Sequence, residues 1–434
     1  MSAPTTHRRR PLYGWLTAEA ISLTGTRVSM IALPWFVLTT TGSATKTGLV
    51  ALAELLPMVV LKVLGGPVID RLGPRRVAVA CDVLSMPVVG AIPLLHAAGH
   101  LSFGGFLALV AVAGALRGPG DSAKGALVPA IVDHTGVPME RATGLHTTVE
   151  RTSTMLGAAF AGGLVSTIGA ANAIVVDAVS FGLSALVLLW SCRRVGDAVV
   201  RTGEEDTAPY REQLHEGWRF LRGDRVLLGI AVMVAITNLL DIAWGTVLVP
   251  VWALEYGGGA AVIGLLFAVF GGSAALGAIC AAAWGDRMPR YRTYLVAFLV
   301  VGLPRFVVMA WDIPIWIVIA VALAGGFASG FLNPILGAVI FERIPPPLVG
   351  RVTSLTTAMC FALMPLGGVL GGVLIGHTGL TTAMLALGIA YFAATMLPAI
   401  DPRWREMDDR PAPEVEPGEE AVDPSVSASG EPAR

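Results

Sequence analysis

The chain alternates between long apolar segments and short interruptions that contain polar residues, proline or glycine. Six apolar segments precede a polar stretch, and six more follow it. They cover residues 13–40, 45–66, 76–97, 102–128, 144–168, 171–192, 226–253, 260–283, 293–310, 313–340, 352–376 and 379–399. Because an α-helix of about 20 apolar residues crosses the hydrocarbon core of a bilayer, the pattern predicts twelve transmembrane helices in two six-helix halves.

The composition also indicates a protein whose main partner is the lipid bilayer. Hydrophobic residues make up 54% of the chain and charged residues 14%, with a mean hydropathy of +0.70, which lies outside the range of ordinary soluble domains. The formal net charge of −1 gives no reason to expect a nucleic-acid partner. The four cysteines are scattered through apolar runs, so we expect packed thiols and no metal site. The fold class predicted is an all-α membrane protein.

Positive charges are concentrated in every second connecting segment. The basic segments contain Arg8–Arg10, the arginines of 71–76, Arg141, the arginines of 193–225, those of 287–292 and those of 343–351. Cytoplasmic loops carry the excess of Lys and Arg, so we predict both termini in the cytoplasm and a multi-pass protein of the cytoplasmic membrane. The first apolar run has no small-residue cleavage site, and we expect it to be retained as a span.

The same pattern divides the chain into five parts. They are a cytoplasmic tail (1–12), an N-terminal six-helix half (13–192), a cytoplasmic linker (193–225), a C-terminal six-helix half (226–400) and an acidic tail (401–434). The linker has an amphipathic helical pattern that fits either a helix on the inner membrane surface or a solvated connector. The acidic tail has ten acidic residues and no apolar periodicity, so we predict that it is disordered.

A charged motif recurs at matching positions in the two halves. The chain reads GGPVIDRLGPRR over Gly65–Arg76 and AWGDRMPRYR over Ala283–Arg292. Glycines permit a tight turn and close helix approach, and an aspartate at a helix end pairs with arginines or with the N-terminus of a neighbouring helix. We interpret the motif as a gate at the inner surface, with a plain basic loop as the alternative. Its residues are Gly66, Asp70, Arg71, Gly73, Arg75, Arg76, Asp286 and Arg287.

The first copy of this motif resembles the loop signature of the major facilitator superfamily between its second and third helices. The similarity extends over most of residues 11–400 and includes blocks at 22–35, 116–121, 216–222 and 344–355. In these blocks the chain is similar to the drug:proton antiporter branch, which includes macrolide-efflux-like and enterobactin-exporter-like proteins. The resemblance implies the major facilitator fold, with two pseudo-symmetric halves around a central cavity and alternating access.

The resemblance also implies a function. We expect a monomer that exports a small amphipathic or hydrophobic compound, such as a drug, a natural product or a siderophore, by proton antiport. The sequence has no phosphate-binding loop, metalloprotease motif or nucleophile elbow, so we predict that the protein is not an enzyme and uses no cofactor. The alternatives are an importer or facilitator of the same fold and, from another class, a membrane sensor or scaffold that does not transport.

Ionisable residues inside the predicted spans are the candidate functional groups, because each costs about 2.5–3.5 kcal/mol at mid-bilayer unless it is paired or faces a cavity. Glu54 and Asp241 lie near the middle of their spans. Desolvation favours the protonated form of a carboxylate, so we predict that these two couple transport to protons, with Glu19 and Asp121 as second choices. The groups nearer the inner surface are expected to snorkel or pair. They are Lys62, Asp82, Lys124, Glu150 and Arg151.

Four further residues are candidates for the substrate cavity. Arg27, deep in the first span, either pairs with Glu54 or contacts an anionic substrate. Trp244, one turn from the second of the deep carboxylates, is placed to stack on an aromatic substrate. In the family, the spans that contain Asn238 and Asn333 line the central cavity, so each side chain is expected to hydrogen-bond the substrate or a neighbouring helix.

Overall fold

The computed structural model describes residues 6–193, 195, 210–256, 258–284, 287–345, 348–396 and 400–408. In these residues all regular structure is helical. The α-helices are α1 Thr6–Thr41, α2 Ala44–Leu64, α3 Gly66–Leu72, α4 Pro74–Ala97, α5 Phe103–Ala126, α6 Val128–Thr135, α7 Met139–Ile168, α8 Ala170–Ser191, α9 Tyr210–Gly223, α10 Arg225–Ala243, α11 Val249–Glu255, α12 Gly259–Trp284, α13 Arg290–Val301, α14 Leu303–Met309, α15 Ile315–Arg343, α16 Val349–Ala362 and α17 Met364–Met396. A π-helical turn, Trp244–Leu248, joins α10 to α11, and a 3-10 helix, Pro402–Asp408, follows α17.

Ten segments of the described chain are long and apolar enough to cross a membrane. They are Arg9–Thr41, Ala44–Leu64, Pro74–Ala97, Phe103–Thr135, Ala170–Ser191, Arg225–Glu255, Gly259–Trp284, Arg290–Met309, Ile315–Ile340 and Val349–Met396. The protein is therefore an all-helical, multi-pass membrane protein, because helices satisfy their own backbone hydrogen bonds in lipid.

Glycine and proline set the breaks within these segments. Gly302 has a non-helical backbone (φ −77°, ψ −100°) and separates α13 from α14, which has proline in its first turn. Gly379 has φ 79° and ψ 169° and divides α17 into two helical parts. Proline lacks the backbone donor that a continuing helix needs, and a positive φ is accessible to glycine at little cost.

The helices pack as two groups. In the first, α1 packs on α7 and α8, α4 packs on α5 and α8, and α2 packs on α5. In the second, α12 and α13 pack on α15, while α10 and α14 pack on α17. The two groups meet mainly through α2 with α17 and α7 with α12. We call α1–α8 the N-terminal group and α10–α17 the C-terminal group.

Glycines in α17 allow it to fit between two neighbours. A Cβ at Gly367 would lie 2.3 Å from the carbonyl oxygen of Leu239 in α10, and a Cβ at Gly372 would lie 2.5 Å from the carbonyl oxygen of Ala44 in α2. No real Cβ approaches backbone oxygen so closely, so only glycine permits this spacing.

The glycine contacts between the groups run from one end of the molecule to about its middle, where Gly272 of α12 meets Met155 of α7. In α2 they involve Ala44 and Gly48, in the first turns of the helix, and in α7 they involve Gly162, near its end. The facing residue of α12 is Gly264, again in the first turns. These ends are opposite the loops that contain the arginine-rich motifs, so the groups diverge toward the arginine-rich face.

Two sequence-based expectations need correction. The motif that begins at Gly65 is not a tight turn, because Gly66–Leu72 forms a helix with proline in its first turn and ends at Gly73 (φ 87°). The prediction of disorder from 401 is also wrong for the eight residues 401–408, since Trp404 is 4% exposed and its ring centroid lies 5.4 Å from that of Tyr294. Residues 409–434 lie outside the described part.

The linker contains the predicted amphipathic helix, α9. Its Leu221 is fully buried in a small apolar cluster with Leu227, Ile344 and Val352. Arg351 donates a hydrogen bond to a carboxylate oxygen of Glu216 on the same helix. The apolar side of α9 therefore packs on the ends of the C-terminal group rather than facing water.

Candidate functional site

The first buried ion pair joins the middle of α2 to α5. Arg117 Nη1 donates to Glu54 Oε1 at 2.5 Å, and the two side chains are 10% and 13% exposed. Glycines bring the helices together here, because a Cβ at Gly114 would lie 2.1 Å from the carbonyl oxygen of Glu54. Breaking such a pair on one side leaves an uncompensated charge in a low-dielectric interior.

Of the two alternatives for Arg27, the pair with Glu54 is not formed. Arg27 instead donates to Thr154 Oγ1 at 2.9 Å and to Met30 Sδ at 3.2 Å. Its side chain lies against α7, where a Cβ at Gly157 would be 3.0 Å from Arg27 Cγ. The side of α1 that carries Arg27 therefore faces α7, whereas Glu54 faces α5.

A third deep carboxylate, Asp177 on α8, is 1% exposed. It accepts hydrogen bonds from Ser29 on α1 and, at 3.3 Å, from Ser180. The sequence places Asp177 inside a span but does not single it out. The sequence feature that could have indicated this contact is the pattern of small and hydroxyl residues in α1, because Gly25 lies against Asp177 and Ser180.

A second ion pair lies closer to the arginine-rich face. Lys124 Nζ is 3.0 Å from Asp82 Oδ1 and donates to Ser22 Oγ at 2.8 Å. Ser184 donates to the other oxygen of Asp82 at 2.7 Å. Both charged side chains are almost fully buried, so they pair rather than snorkel.

Glu19 and Asp121 lie near this pair. His146 Nε2 is 3.6 Å from Glu19 Oε1, and the His146 ring stacks on Trp15 with centroids 5.1 Å apart. Asp121 lies within electrostatic reach of Arg117 and Lys124. The sequence reasoning did not find His146, which lies in the charged first half of α7.

The corresponding cluster of the C-terminal group contains Asp241 and Arg305. Arg305 on α14 donates to Asp241 on α10 and lies over the rings of Trp244, Phe306 and Tyr391, 4.8–5.0 Å from their centroids. A desolvated guanidinium over aromatic rings is stabilised by cation–π attraction. The Asp241 side chain is 42% exposed and that of Arg305 is 9% exposed, so the carboxylate is the accessible member of the pair.

A small cavity lies behind Trp244 and Arg305. Its wall is apolar and includes Phe270, Val308 and Val318. Two buried N–H groups of these residues, Trp244 Nε1 and Arg305 Nε, have no acceptor among the described residues. A water molecule or an acceptor atom of a ligand would satisfy them.

The two asparagine candidates differ. Asn238 Nδ2 donates to the backbone oxygen of Cys360 on α16 at 2.9 Å. This hydrogen bond to a neighbouring helix is one of the two expectations for Asn238. Asn333 is exposed on α15. Asn238 therefore lies one turn from Asp241 on α10, whereas Asn333 lies on α15 of the same group.

The motif residues lie on the arginine-rich face. Asp70 and Arg71 are exposed on α3, and Gly73 has φ 87°, a conformation that L side chains rarely adopt. Arg76 and Arg287 are exposed, Arg75 is half-buried, and Gly66 has open space around it. Asp286 lies outside the described residues.

The comparisons with known proteins agree with this architecture. The sequence model of the transmembrane secretion effector family matches residues 7–429. The multidrug efflux pump Tap of Mycobacterium tuberculosis is 28% identical over 415 residues, which cover 94% of this chain and 97% of that protein. Tap of Mycolicibacterium fortuitum is 29% identical over 411 residues, covering 93% of this chain and 98% of that protein.

Among solved structures, the nucleoside transporter NupG superposes with a TM-score of 0.72 at 14% identity, covering 92% of this chain and 100% of that one. The likeness identifies the fold as that of major facilitator transporters. The family consists of transporters and not enzymes, and its relatives are proteins of the cell membrane. The chain belongs to the transmembrane secretion effector family of the major facilitator superfamily.

Proposed function

We propose that the protein exports a small amphipathic or hydrophobic compound across the cytoplasmic membrane by proton antiport. The observation that carries the proposal is the Asp241–Arg305 pair, in which an accessible carboxylate neutralises a buried guanidinium in a transporter fold. The relatives named multidrug efflux pumps, which match nearly end to end, support the direction and the substrate class.

The proposed topology has twelve spans in two six-helix halves, with both termini cytoplasmic. Ten candidate spans are recognised by length and hydropathy. The 30-residue helix α7 adds one, although Glu150 and Arg151 lower its hydropathy. The break at Gly379 divides the last candidate into two, which gives twelve (10 + 1 + 1).

In this proposal the described state is open to the cytoplasm. The groups touch through α2 with α17 and α7 with α12 at the ends away from the arginine-rich loops. Cytoplasmic loops carry the excess of arginine, so the divergent end faces the cytoplasm. Rocking of the groups about these glycine contacts would close that end and open the other, with the motif around Asp70 as the inner gate.

Protons act on the deep carboxylates. Neutralising Asp241 removes the partner of Arg305, and neutralising Glu54 removes the partner of Arg117. Protonation of either carboxylate leaves its arginine without a counter-ion, so the conformation in which that buried arginine is best stabilised changes. This change in relative stability couples proton movement to the rocking motion. Glu19 and Asp121 are the next candidates to carry a proton inward.

The compound binds between the two groups. Trp244 and Arg305 border this region from the C-terminal group, beside the accessible carboxylate of Asp241. Arg27 lies on the opposite group, and its Nε has no acceptor among the described residues. Asn238 borders the same region, and Asn333, which is exposed on α15, is a further candidate for the lining.

Proteoliposomes with a pH-sensitive dye inside test the proposal. A proton gradient is imposed, and a panel of amphipathic compounds is added to wild type, Glu54→Gln, Asp241→Asn and the control Asp312→Asn, which changes an exposed carboxylate between two spans. We expect compound-dependent proton movement in wild type and the control, reduced at least about tenfold in Glu54→Gln or Asp241→Asn.

Other results would contradict the proposal. Compound movement that ignores both the gradient and the two carboxylate variants would indicate a facilitator. Accumulation in the direction of import would reverse the assigned direction. Proton movement that is equal in all four proteins would remove Glu54 and Asp241 from the coupling mechanism.

A further inference from the structure

A charged cleft lies where α9, α10, α15 and the 3-10 helix after α17 meet. It has a volume of about 580 Å³ and opens on the arginine-rich face. The charged residues that line it are Arg219, Asp224, Arg225, Arg343, Arg403 and Glu406. Four guanidinium groups and two carboxylates give the cleft a net charge of +2 (4 − 2). The cleft is remote from the proposed transport pathway.

Both carboxylates of the cleft are already engaged by one arginine. Arg343 Nε lies 2.8 Å from Asp224 Oδ2, and Arg343 Nη2 lies 3.0 Å from Glu406 Oε2. Burial opposes the charge on Arg343, but the hydrogen bonds with the two carboxylates outweigh it and raise the pKa of Arg343 above its ordinary value. The other oxygen of Asp224 accepts from the first N–H groups of α10.

The other three arginines of the cleft have no anionic partner in the part of the chain that the structure describes. Among the described residues, Arg219, Arg225 and Arg403 have no ion pair with a carboxylate, and Arg219 Nη2 is 3.5 Å from His215 Nδ1. All three are exposed. A planar guanidinium presents N–H groups that match two oxygens of a phosphate, so several converging arginines favour a phosphoryl anion.

The position of the cleft indicates the source of that anion. Arg225 is the first residue of α10, and Arg343 is the last residue of α15, so the cleft lies at the ends of membrane helices. Trp218 on the neighbouring α9 is 40% exposed. Tryptophan and arginine at helix ends are typical of the headgroup layer, and basic pockets there bind anionic lipid headgroups.

We infer that this cleft binds the phosphoryl group of an anionic phospholipid headgroup from the surrounding leaflet. Arg225, Arg403 and Arg219 contact the phosphoryl oxygens, while Arg343 holds Asp224 and Glu406 away from them. The bound lipid would link the start of α10, the end of α15 and the 3-10 helix. This lipid site is separate from export and does not depend on the coupling ion.

The test measures lipid binding to the purified full-length chain in detergent. Phosphatidylglycerol and phosphatidylcholine are titrated separately by native mass spectrometry, with glycerol phosphate and inorganic phosphate as soluble probes. We expect phosphatidylglycerol to bind more tightly than phosphatidylcholine. Each arginine that contacts the phosphoryl group should contribute about fivefold to this binding, so Arg225→Gln with Arg403→Gln should weaken it by at least about tenfold.

The matched control is Arg222→Gln with Arg405→Gln. These exposed arginines lie on α9 and on the same 3-10 helix but do not line the cleft, and their replacement changes the net charge equally. The control should bind phosphatidylglycerol within about twofold of wild type, since diffuse attraction is screened over a Debye length. Thermal melting in phosphatidylcholine checks that both double variants are folded. If the variant with Arg225→Gln and Arg403→Gln is not folded, Arg219→Gln replaces it in the binding measurement.

Three results would overturn the inference. Equal binding of phosphatidylglycerol and phosphatidylcholine would show that the cleft does not select an anionic headgroup. Equal weakening in the cleft variant and the control would indicate diffuse charge instead of a site. Saturable binding of glycerol phosphate or inorganic phosphate without a preference between the lipids would assign the cleft to a soluble phosphate compound.

Discussion

Arg305 and Lys124 are both buried cations, but they have different surroundings. Lys124 is held by Asp82 and Ser22, and all of its partners are closed off from solvent. Arg305 has a half-exposed carboxylate on one side and aromatic rings on the other. A sealed pair gives rigidity, whereas a pair with one accessible member responds to a proton or a ligand. We therefore propose a structural role for Lys124 and a functional role for Asp241.

The sealed pair predicts a stability effect. Lys124→Met leaves Asp82 buried without its counter-ion, and we expect a loss of about 3–5 kcal/mol in the free energy of unfolding. The double variant Asp82→Asn with Lys124→Met should recover most of that loss, because neither charge remains. Melting temperatures in one detergent provide the measurement. Additive losses in the double variant would contradict the interpretation as a pair.

At the residue scale, the sequence identifies which charges are deep but not what they contact. The depth of Glu54 and Asp241 follows from their place in apolar segments. The partner of Glu54 depends on the rotation of α1 and α5 about their axes, which one sequence does not encode. Arg27 and Arg117 are both deep arginines, and only the packing of α2 on α5 selects Arg117. In the same way, the sequence shows that Arg305 is deep but not that it pairs with Asp241.

At the element scale, contacts between helices depend on small residues. Gly114 and Gly118 in α5 lie against the backbone of α2, at Glu54 and Met58. This spacing of four residues places both glycines on one face of the helix. The close approach places Arg117, which lies on the same helix between them, within reach of the carboxylate of Glu54.

The glycine contact can be tested with a matched pair on one helix. A Cβ at Gly114 would lie 2.1 Å from the carbonyl oxygen of Glu54, whereas a Cβ at Gly104 would meet nothing within 4 Å. We expect Gly114→Ala to lower the free energy of unfolding by about 1–3 kcal/mol. Gly104→Ala should be neutral or stabilising, because alanine is the better helix former. Equal melting temperatures for the two variants would contradict the close contact.

Hydropathy predicts the boundaries of the helices except where charged residues or proline make a helical segment look like a loop. The apolar segments coincide with observed helices, since a lipid-facing backbone must be helical. The helix Gly66–Leu72 was missed because its charged residues and flanking glycines are also typical of a turn. The short helix Pro402–Asp408 was missed because two buried side chains, Trp404 and Met407, are too few to produce a periodic pattern.

At the scale of the whole molecule, the two helix groups touch from one face to about the middle of the molecule and diverge toward the other face. Contacts between them are made by small residues such as Gly48 and Gly368, or Gly162 and Gly264, with no ion pair across these glycine contacts among the described residues. Surfaces of this kind slide or rock at little electrostatic cost. This arrangement is the basis of the proposed alternation between two open states.

The measurement that tests this alternation most directly is a pair of spin-label distances, with the native cysteines replaced by alanine. One pair, His134→Cys with Gly350→Cys, spans the arginine-rich face, and the other, His100→Cys with Asp312→Cys, spans the opposite face; all four positions are exposed. Acidification or added compound should shorten the first distance and lengthen the second, and Asp241→Asn should shift both populations. Distances that stay single and unchanged under every condition would contradict alternating access.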